Sequence, residues 1–369
     1  MKILVSCLAF DEGKSGISDY IVSTTKEMLH NNQVTLLIHP SDASIFPLKS
    51  PRLNYLYVAE WLKRPVLSML WHLYLLPVLL LLKRYDLVFL PAGNRRLLAI
   101  YPAKTVVTFH DLSQFHVPAK YDAFRMFYIK RIIPHYLKKA PKIYAISQNT
   151  KEDIVRFYHI PSAQIEVNYN GYDPDKISSE VSLPELMKRF SLHKKYLLYI
   201  ARIEHPGKNH LNLLKAYELL PQEIKNNYDL VCAGGLWNGG EIVMSYAKKM
   251  ADSAKIHFPG FVPNSYLGAL YQNASLYVFP SFYEGFGIPL LEAFAAGIPV
   301  VCSDSSSLPE IGYPAVLTFK PDNPQSIAQA ILTVLKDADL QADMVKKGKE
   351  RLLSFSWRKH TQTILDTWK

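Results

Sequence analysis

Only three cysteines occur in 369 residues, Cys7, Cys232 and Cys302, and each lies in an apolar, strand-like run. That spacing supplies neither a disulfide framework nor a zinc-ligand pattern, so the three read as reduced core residues. Repeats and low-complexity tracts are lacking too, which argues against a solenoid or a disordered array. Long hydrophobic runs are scarce. The strongest, residues 65–82, barely approaches the roughly 20 residues of a membrane span. It contains Ser68, His72 and Pro77 and is flanked by Lys63-Arg64 and Lys83-Arg84, and burial is the better reading for it, an interfacial helix the other. The apolar start, residues 1–10, is short for a signal peptide and leads straight into Asp11-Glu12, so it reads as a first β-strand. No carboxylate stands out as the base of an inverting displacement, and Asp173-Pro-Asp175 imitates a metal-binding pair but reads as a turn.

What is present is an α/β pattern, twice. The composition is that of a soluble globular protein, 49% hydrophobic and 20% charged, and the length suits two domains rather than one core. In the first half, residues 3–9, 34–38, 87–90, 105–109 and 142–146 alternate with helical patterns, which predicts a doubly wound parallel sheet. Residues 196–200, 229–233, 256–258, 276–279 and 300–302 repeat the scheme in the second half. The polar stretch from Asn170-Gly-Tyr-Asp-Pro-Asp-Lys176 to Pro184 predicts the connection, giving domains 1–172 and 173–355 and a last helix, 356–369, capped by Ser354 or Ser356. Charge divides unevenly. Up to Tyr172 there are 21 Lys and Arg against 12 Asp and Glu, a net +9, and beyond it 21 against 20, a net +1. An anionic partner is therefore expected of the first half.

The most informative stretch is residues 281–301. Two strand-like runs, 276–279 and 299–302, bracket a glycine loop that opens a helix, with Pro289 suited to its first position and Gly297 to the left-handed residue past its end. The N–H groups of the first turn make an anion site that Gly285 and Gly287 let a phosphate approach closely. Glu292, about one turn inside, is placed to accept hydrogen bonds from vicinal hydroxyls such as those of a ribose. Glu284 sits in the loop ahead. Either carboxylate alone would pass as a solvated residue, but the helix around Glu292 is largely apolar, where an unpaired carboxylate is costly.

The run Glu284-Gly-Phe-Gly-Ile-Pro-Leu-Leu-Glu292 resembles the paired-glutamate signature of the retaining GT-B glycosyltransferases of family 4 (glycosyl transferases group 1), which includes mannosyltransferase-like enzymes of bacterial surface polysaccharide synthesis. Tyr199-Ile-Ala-Arg-Ile-Glu-His-Pro-Gly-Lys-Asn-His210, Val231-Cys-Ala-Gly-Gly235, Thr108-Phe-His-Asp111 and Tyr144-Ala-Ile-Ser-Gln-Asn-Thr150 are similar to other segments of that family, in its order. The resemblance implies two Rossmann-like doubly wound domains facing a cleft, with the last helix crossing back to the first. It implies a nucleotide-sugar donor, UDP- or GDP-linked, and no separate cofactor. Arg202 and Lys208 would meet the departing diphosphate. Glu284 would hold sugar hydroxyls and Glu292 the ribose, with Gly234, Gly285, Phe286, Gly287 and Ile288 at the donor. His110 would contact the sugar, and Gly16, in a loop whose serines Ser15 and Ser18 depart from the usual glycine-rich form, would bring backbone to the substrate.

With those cations and a helix N-terminus, no metal is expected. The acceptor is expected to be a glycan or a lipid-linked oligosaccharide, and the protein cytoplasmic, peripheral on the inner face of the membrane. Residues 119–139 mix Phe124, Phe127, Tyr128 and Tyr136 with Lys120, Arg125, Lys130, Arg131, Lys138 and Lys139, a pattern suited to an anionic lipid surface. Two other functions fit parts of the sequence. A sugar-nucleotide epimerase of related architecture is one; a nucleic-acid-binding protein using the basic half is the other, and it leaves the glutamates, Arg202 and Lys208 unexplained, so nucleic acid is not expected as a partner.

Overall fold

The structure, a computed structural model, describes residues 1–13, 15–117 and 121–368. Lys120, named above, lies outside the described residues, as do positions 14 and 119. The chain divides into two compact units, Met1–Gly171 with Phe355–Lys369, and Tyr172–Ser354.

The first unit is built on a seven-stranded parallel sheet: β1 Lys2–Ser6, β2 Gln33–Ile38, β3 Leu53–Tyr57, β4 Leu87–Leu90, β5 Thr105–Phe109, β6 Lys142–Ala145 and β7 Ile165–Val167, in the order β3-β2-β1-β4-β5-β6-β7. The second has six strands, β8 Lys195–Ile200, β9 Tyr228–Ala233, β10 Ile256–His257, β11 Leu276–Phe279, β12 Val300–Ser303 and β13 Val316–Phe319, ordered β10-β9-β8-β11-β12-β13. All pairings are parallel. Central strands covered on both faces are largely apolar, as in β4 and β5, which are buried at every position and interrupted only by Thr105 and Thr108. The edge strands β3, β7 and β13 were not expected from the sequence. They are short or only partly buried, with Tyr57 and Thr318 exposed, so they carry no continuous apolar run.

Helix Trp357–Asp366 belongs to the first unit, with Ser356 as its N-cap, and packs on helix Gly16–Met28. A buried polar chain ties it there. His360 Nδ1 donates to the carbonyl of Tyr169 (2.8 Å), so its Nε2 accepts from the Tyr20 hydroxyl (2.7 Å), which is 2.9 Å from Thr108 Oγ1.

Residues 65–82 are a helix, as expected, but the preference for burial is corrected. Only 33% of Pro65–Leu82 is buried, although its mean hydropathy is 2.0. Ser68, His72, Leu73, Leu76 and Leu80 face the core, where His72 bonds Ser6 Oγ (2.8 Å) and the carbonyl of Leu97 (2.9 Å). Val66, Leu70, Tyr74, Val78 and Leu82, four residues apart, face outward. A π-helical turn, Trp71–Leu75, precedes Pro77 and accommodates a residue that lacks a donor and would crowd the preceding turn. The same device, Tyr128–Ile132, precedes Pro134.

Burial lowers the pKa of His72 to about 3 and those of His110 and His360 to about 4, all in the first unit, and that of His210 to about 3 in the second. An unfolded histidine titrates near 6.5. Between pH about 6.5 and about 4 the unfolded chain therefore binds protons that the folded chain refuses. Stability is retained above this window and falls as pH drops through it, by up to about 1.4 kcal/mol per pH unit per histidine. Hydrogen exchange at pH 7 and pH 5 should show the first unit, with three such groups, losing more protection free energy than the second. Equal losses would contradict the assignment.

Candidate active site

In an open α/β sheet, ligands bind at the carboxyl ends of the strands where the strand order reverses. In the second unit that place is between β8 and β11. The loops leaving these two strands are stitched together. Tyr199, the penultimate residue of β8, donates its hydroxyl to the carbonyl of Lys208 (2.8 Å) and lies 3.0 Å from Ser281 Oγ. The Phe282 N–H donates to the carbonyl of Gly207 (3.1 Å). Asn209, in the left-handed region at φ 59°, donates to the carbonyls of Pro280 (2.8 Å) and Pro321 (2.7 Å). Across this seam Lys208 Nζ meets Glu284 Oε1 at 2.7 Å, with both side chains mostly buried. Two residues expected to serve different parts of a ligand thus stand against each other.

The loop beyond Glu284 is clamped from β12. Ser306 Oγ accepts from the Glu284 N–H (2.9 Å), and Ser307 Oγ lies 2.9 Å from the carbonyls of both Glu284 and Phe286. Phe286 is buried. Gly287, at φ 104°, is the N-cap of helix Ile288–Ala296 and must be glycine, because a Cβ would come within 2.9 Å of Leu308. The helix starts one residue ahead of Pro289, with Ile288 first, and ends on left-handed Gly297. No side chain caps its N-terminus. Its first turn therefore offers backbone N–H groups and the positive end of the dipole to an anion.

Glu292 is held by a tyrosine that the sequence does not single out. The Tyr271 hydroxyl donates to Glu292 Oε2 at 2.7 Å. Burial and then the Glu292 carboxylate keep the phenols of Tyr271 and Tyr277 well above the usual tyrosine range, so Tyr271 remains a donor. Tyr277 feels the charge of Glu284 as well as that of Glu292, both of which oppose ionisation of its phenol.

Arg202 leaves the same edge. Its guanidinium lies 4.9 Å from the ring centroid of Trp237 and 3.5 Å from Glu204, with half of its side chain in solvent. Trp237 follows Gly234, whose φ is 146° and where a Cβ would meet the Ala201 carbonyl at 1.9 Å; this glycine lets the β9 loop pass beside the residue preceding Arg202.

His110 and Gly16 are in the first unit. His110 follows β5, buried, its Nε2 2.6 Å from the Pro91 carbonyl at the end of β4 and its ring edge-on to Tyr20 at 4.7 Å. Nε2 is therefore the protonated nitrogen, and the low pKa keeps the ring neutral. Gly16 opens helix Gly16–Met28, with Ser15 as N-cap; a Cβ there meets nothing within 4 Å, so packing alone does not require glycine. Asp173 caps its own turn, accepting from the Asp175 N–H at 3.2 Å. Among the described residues no group of three His, Cys, Asp or Glu is arranged to hold a metal.

Residues 187–351 match the family described as Glycosyl transferases group 1, and residues 14–176 that described as Glycosyltransferase Family 4. O-antigen chain mannosyltransferase B of Escherichia coli is 33% identical over 268 residues, 72% of this chain and 70% of that protein. The chain belongs to glycosyltransferase family 4. This glycosyltransferase also has the GT-B fold. Sucrose-phosphate synthase of Thermosynechococcus elongatus superposes with a TM-score of 0.77 at 18% identity, covering 100% of this chain and 98% of the other. Anabaena HepE, solved with UDP and glucose, gives 0.71 at 17% identity, covering 100% and 99%.

In this glycosyltransferase Lys208→Ala and Glu284→Ala should each lower kcat/KM by about two to three orders of magnitude, since each leaves its partner uncompensated at the site. The double variant should cost little more than the worse single one, because one pair has been removed either way. Additive losses would show that the two act independently.

Proposed function

We propose that the protein transfers a hexose, with retention, from a UDP- or GDP-sugar to a glycan or lipid-linked oligosaccharide of a surface polysaccharide. A mannosyl donor is the first to test, because the Escherichia coli relative is named a mannosyltransferase. The observation that carries the reading is the Lys208–Glu284 pair at the strand-order reversal, beside an uncapped helix N-terminus and Glu292. Lys208, Arg202 and the first helical turn receive the diphosphate; Glu284, fixed by Lys208, faces the sugar hydroxyls; and Glu292, oriented by Tyr271, takes the ribose. Both carboxylates are already engaged, Glu284 by a cation and Glu292 by a phenol, which makes either a poor base. In the proposed step the bond from the anomeric carbon to the phosphate oxygen breaks, the diphosphate leaves with the electron pair, and the acceptor oxygen attacks from the same face. Its proton passes to the departing diphosphate. His110, neutral and with Nε2–H committed to Pro91, offers Nδ1 as an acceptor to a sugar hydroxyl.

Glu292→Ala should raise the donor KM, and Tyr271→Phe should do so less, while Arg202→Ala lowers kcat by about two to three orders of magnitude. Steady-state rates with UDP- and GDP-hexoses measure this, and anomeric analysis of the product by NMR tests retention. An inverted product, or unchanged donor KM in the Glu292 variant, would reject the reading.

The protein is further proposed to work on a membrane, with the lipid bilayer as the occupant of an exposed apolar face. Val66, Leu70, Tyr74, Val78 and Leu82 form its ridge; Trp61, Phe124 and Phe127 are exposed on the neighbouring stretches of chain, and the Tyr74 and Tyr136 hydroxyls, 3.0 Å apart, join the two segments. Exposed Arg64, Lys83 and Arg84 flank the first segment in sequence, and exposed Lys130, Arg131, Lys138 and Lys139 belong to the second. Tyr128, counted with this surface from sequence, instead turns inward; burial raises its phenol to about 12. Each basic residue near an anionic surface contributes about 1 kcal/mol, screened over about 8–10 Å at physiological salt. Sedimentation should show binding to anionic liposomes, weakened by salt and by Leu70→Glu or Val78→Glu. Equal partitioning to neutral liposomes, or none to either, would leave a solvated face.

A further inference from the structure

The first unit carries arginines with no carboxylate to answer them. Beyond β4 the chain turns through Pro91-Ala-Gly-Asn-Arg-Arg96, at the carboxyl edge beside the β1–β4 order reversal. The turn is pinned. The Gly93 N–H donates to the Thr108 carbonyl (2.8 Å), those of Arg95 and Arg96 donate to the Ala92 carbonyl (both 2.9 Å), and the Pro91 carbonyl holds His110. A Cβ on Gly93 would lie 2.4 Å from Val107, so the turn must pack this closely.

Arg96 folds back, with Nη1 donating to the carbonyl of Arg95 (3.0 Å) while Nε is buried without an acceptor. The groups that act on it are the neutral phenol of Tyr128 and two further cations, Arg95 and Arg125. Burial first, then those cations against the opposing phenol, draws its pKa down to about 10, so it stays charged. Arg125 lies over the Tyr121 ring at 3.8 Å, and Arg95 lies within electrostatic reach of His110. The acids of the adjoining segments serve the backbone locally: Asp111 accepts from the Ser113 N–H and hydroxyl, and Asp122 from the Arg125 N–H. None of the three guanidiniums is in an ion pair with a described Asp or Glu. Arg96 is partly exposed with its Nε buried, and a guanidinium so far withdrawn from water with no such ion pair is costly; the compensation a protein ordinarily supplies is missing here.

We propose that Arg95, Arg96 and Arg125 form a phosphate site that takes the phosphate or diphosphate ester of the acceptor. The inference rests on the proposed reading that the acceptor is lipid-linked. Three positive charges beside a neutral histidine call for a dianionic group rather than one carboxylate, and guanidinium forks match phosphate oxygens in pairs. The donor diphosphate already has its own cations, Arg202 and Lys208, in the other unit, so these arginines serve a second phosphate.

The test has a binding arm and a kinetic arm. Calorimetry of inorganic pyrophosphate is done in the Arg202→Ala/Lys208→Ala protein, whose donor cations are gone. Binding should persist there and weaken about tenfold or more, equal to about 1.4 kcal/mol, with Arg96→Met, and likewise with Arg125→Gln. The exposed Arg125 change guards against a folding defect, and removing the cation at Arg96 should leave the thermal midpoint unchanged or raised. No binding in that background, or binding indifferent to both changes, overturns the site. In the kinetic arm, Arg125→Gln should raise the acceptor KM about tenfold for a sugar on a short isoprenyl diphosphate and leave it unchanged for the same sugar on a neutral alkyl chain. A rise in donor KM instead, or an equal rise for both acceptors, overturns the assignment to the acceptor. Should the wild-type protein transfer to neither acceptor, the transferase reading fails on its own, while pyrophosphate binding still decides the arginine site.

Discussion

Everything in the second unit depends on keeping two loops, 76 residues apart at their closest functional pair, in contact across the β8–β11 seam. Lys208 and Glu284 are the visible product of that constraint and not its cause. A pair of this kind gives little net stability, since desolvating both charges offsets most of their attraction, whereas removing one partner leaves the other exposed to a cost of about 3–5 kcal/mol if fully buried. The neutral bonds of Tyr199, Asn209 and the Phe282 N–H do the holding. The ion pair then sets where a positive and a negative group stand relative to a ligand, which favours geometry over stability.

The same economy applies to helix Ile288–Ala296. An uncapped N-terminus is ordinarily a loss, and a side-chain cap would be worth about 1 kcal/mol. Here Gly287 leaves the N–H groups open, and Ser306 and Ser307 recover rigidity by clamping the preceding loop from a different strand. A dipole that is open yet fixed stabilises developing charge without reorganising at the moment of reaction, which is the main source of electrostatic catalysis.

How much of this was legible in the sequence follows from burial and from distance along the chain. Central strands such as β4 and β5 announce themselves because both faces are apolar; β3, β7 and β13, half-covered at the edges, do not. The glycine loop with Glu284 and Glu292 was readable because its parts lie within ten residues of one another. Tyr271, Ser306, Ser307 and Trp237 were not, since each acts on a residue 20 or more positions away and is an ordinary choice for its own element. Residues 65–82 mark a different limit. Hydropathy reports how apolar a helix is and not which side finds a partner, and here the four-residue spacing of Val66, Leu70, Tyr74, Val78 and Leu82 needed the position of His72 against Ser6 to become an outward face.

The surplus of +9 before the linker resolves into two populations once exposure is known. Lys130, Arg131, Lys138 and Lys139 stand in water, where their charge is screened and acts collectively over a surface. Arg96, partly exposed with its Nε buried, stands near Tyr128 and two other cations, where screening is weaker and the absence of an anion is felt individually. A count of charges cannot separate these cases, yet they imply different partners. Dispersed exposed lysines suit a lipid headgroup region of no fixed geometry, and a guanidinium held by its own backbone suits a single phosphate in a fixed place. A lipid that presents headgroup charge at the surface and a phosphate at the sugar end of its chain would satisfy both with one molecule, which would bring the proposed membrane attachment and the proposed acceptor recognition into the same half of this chain.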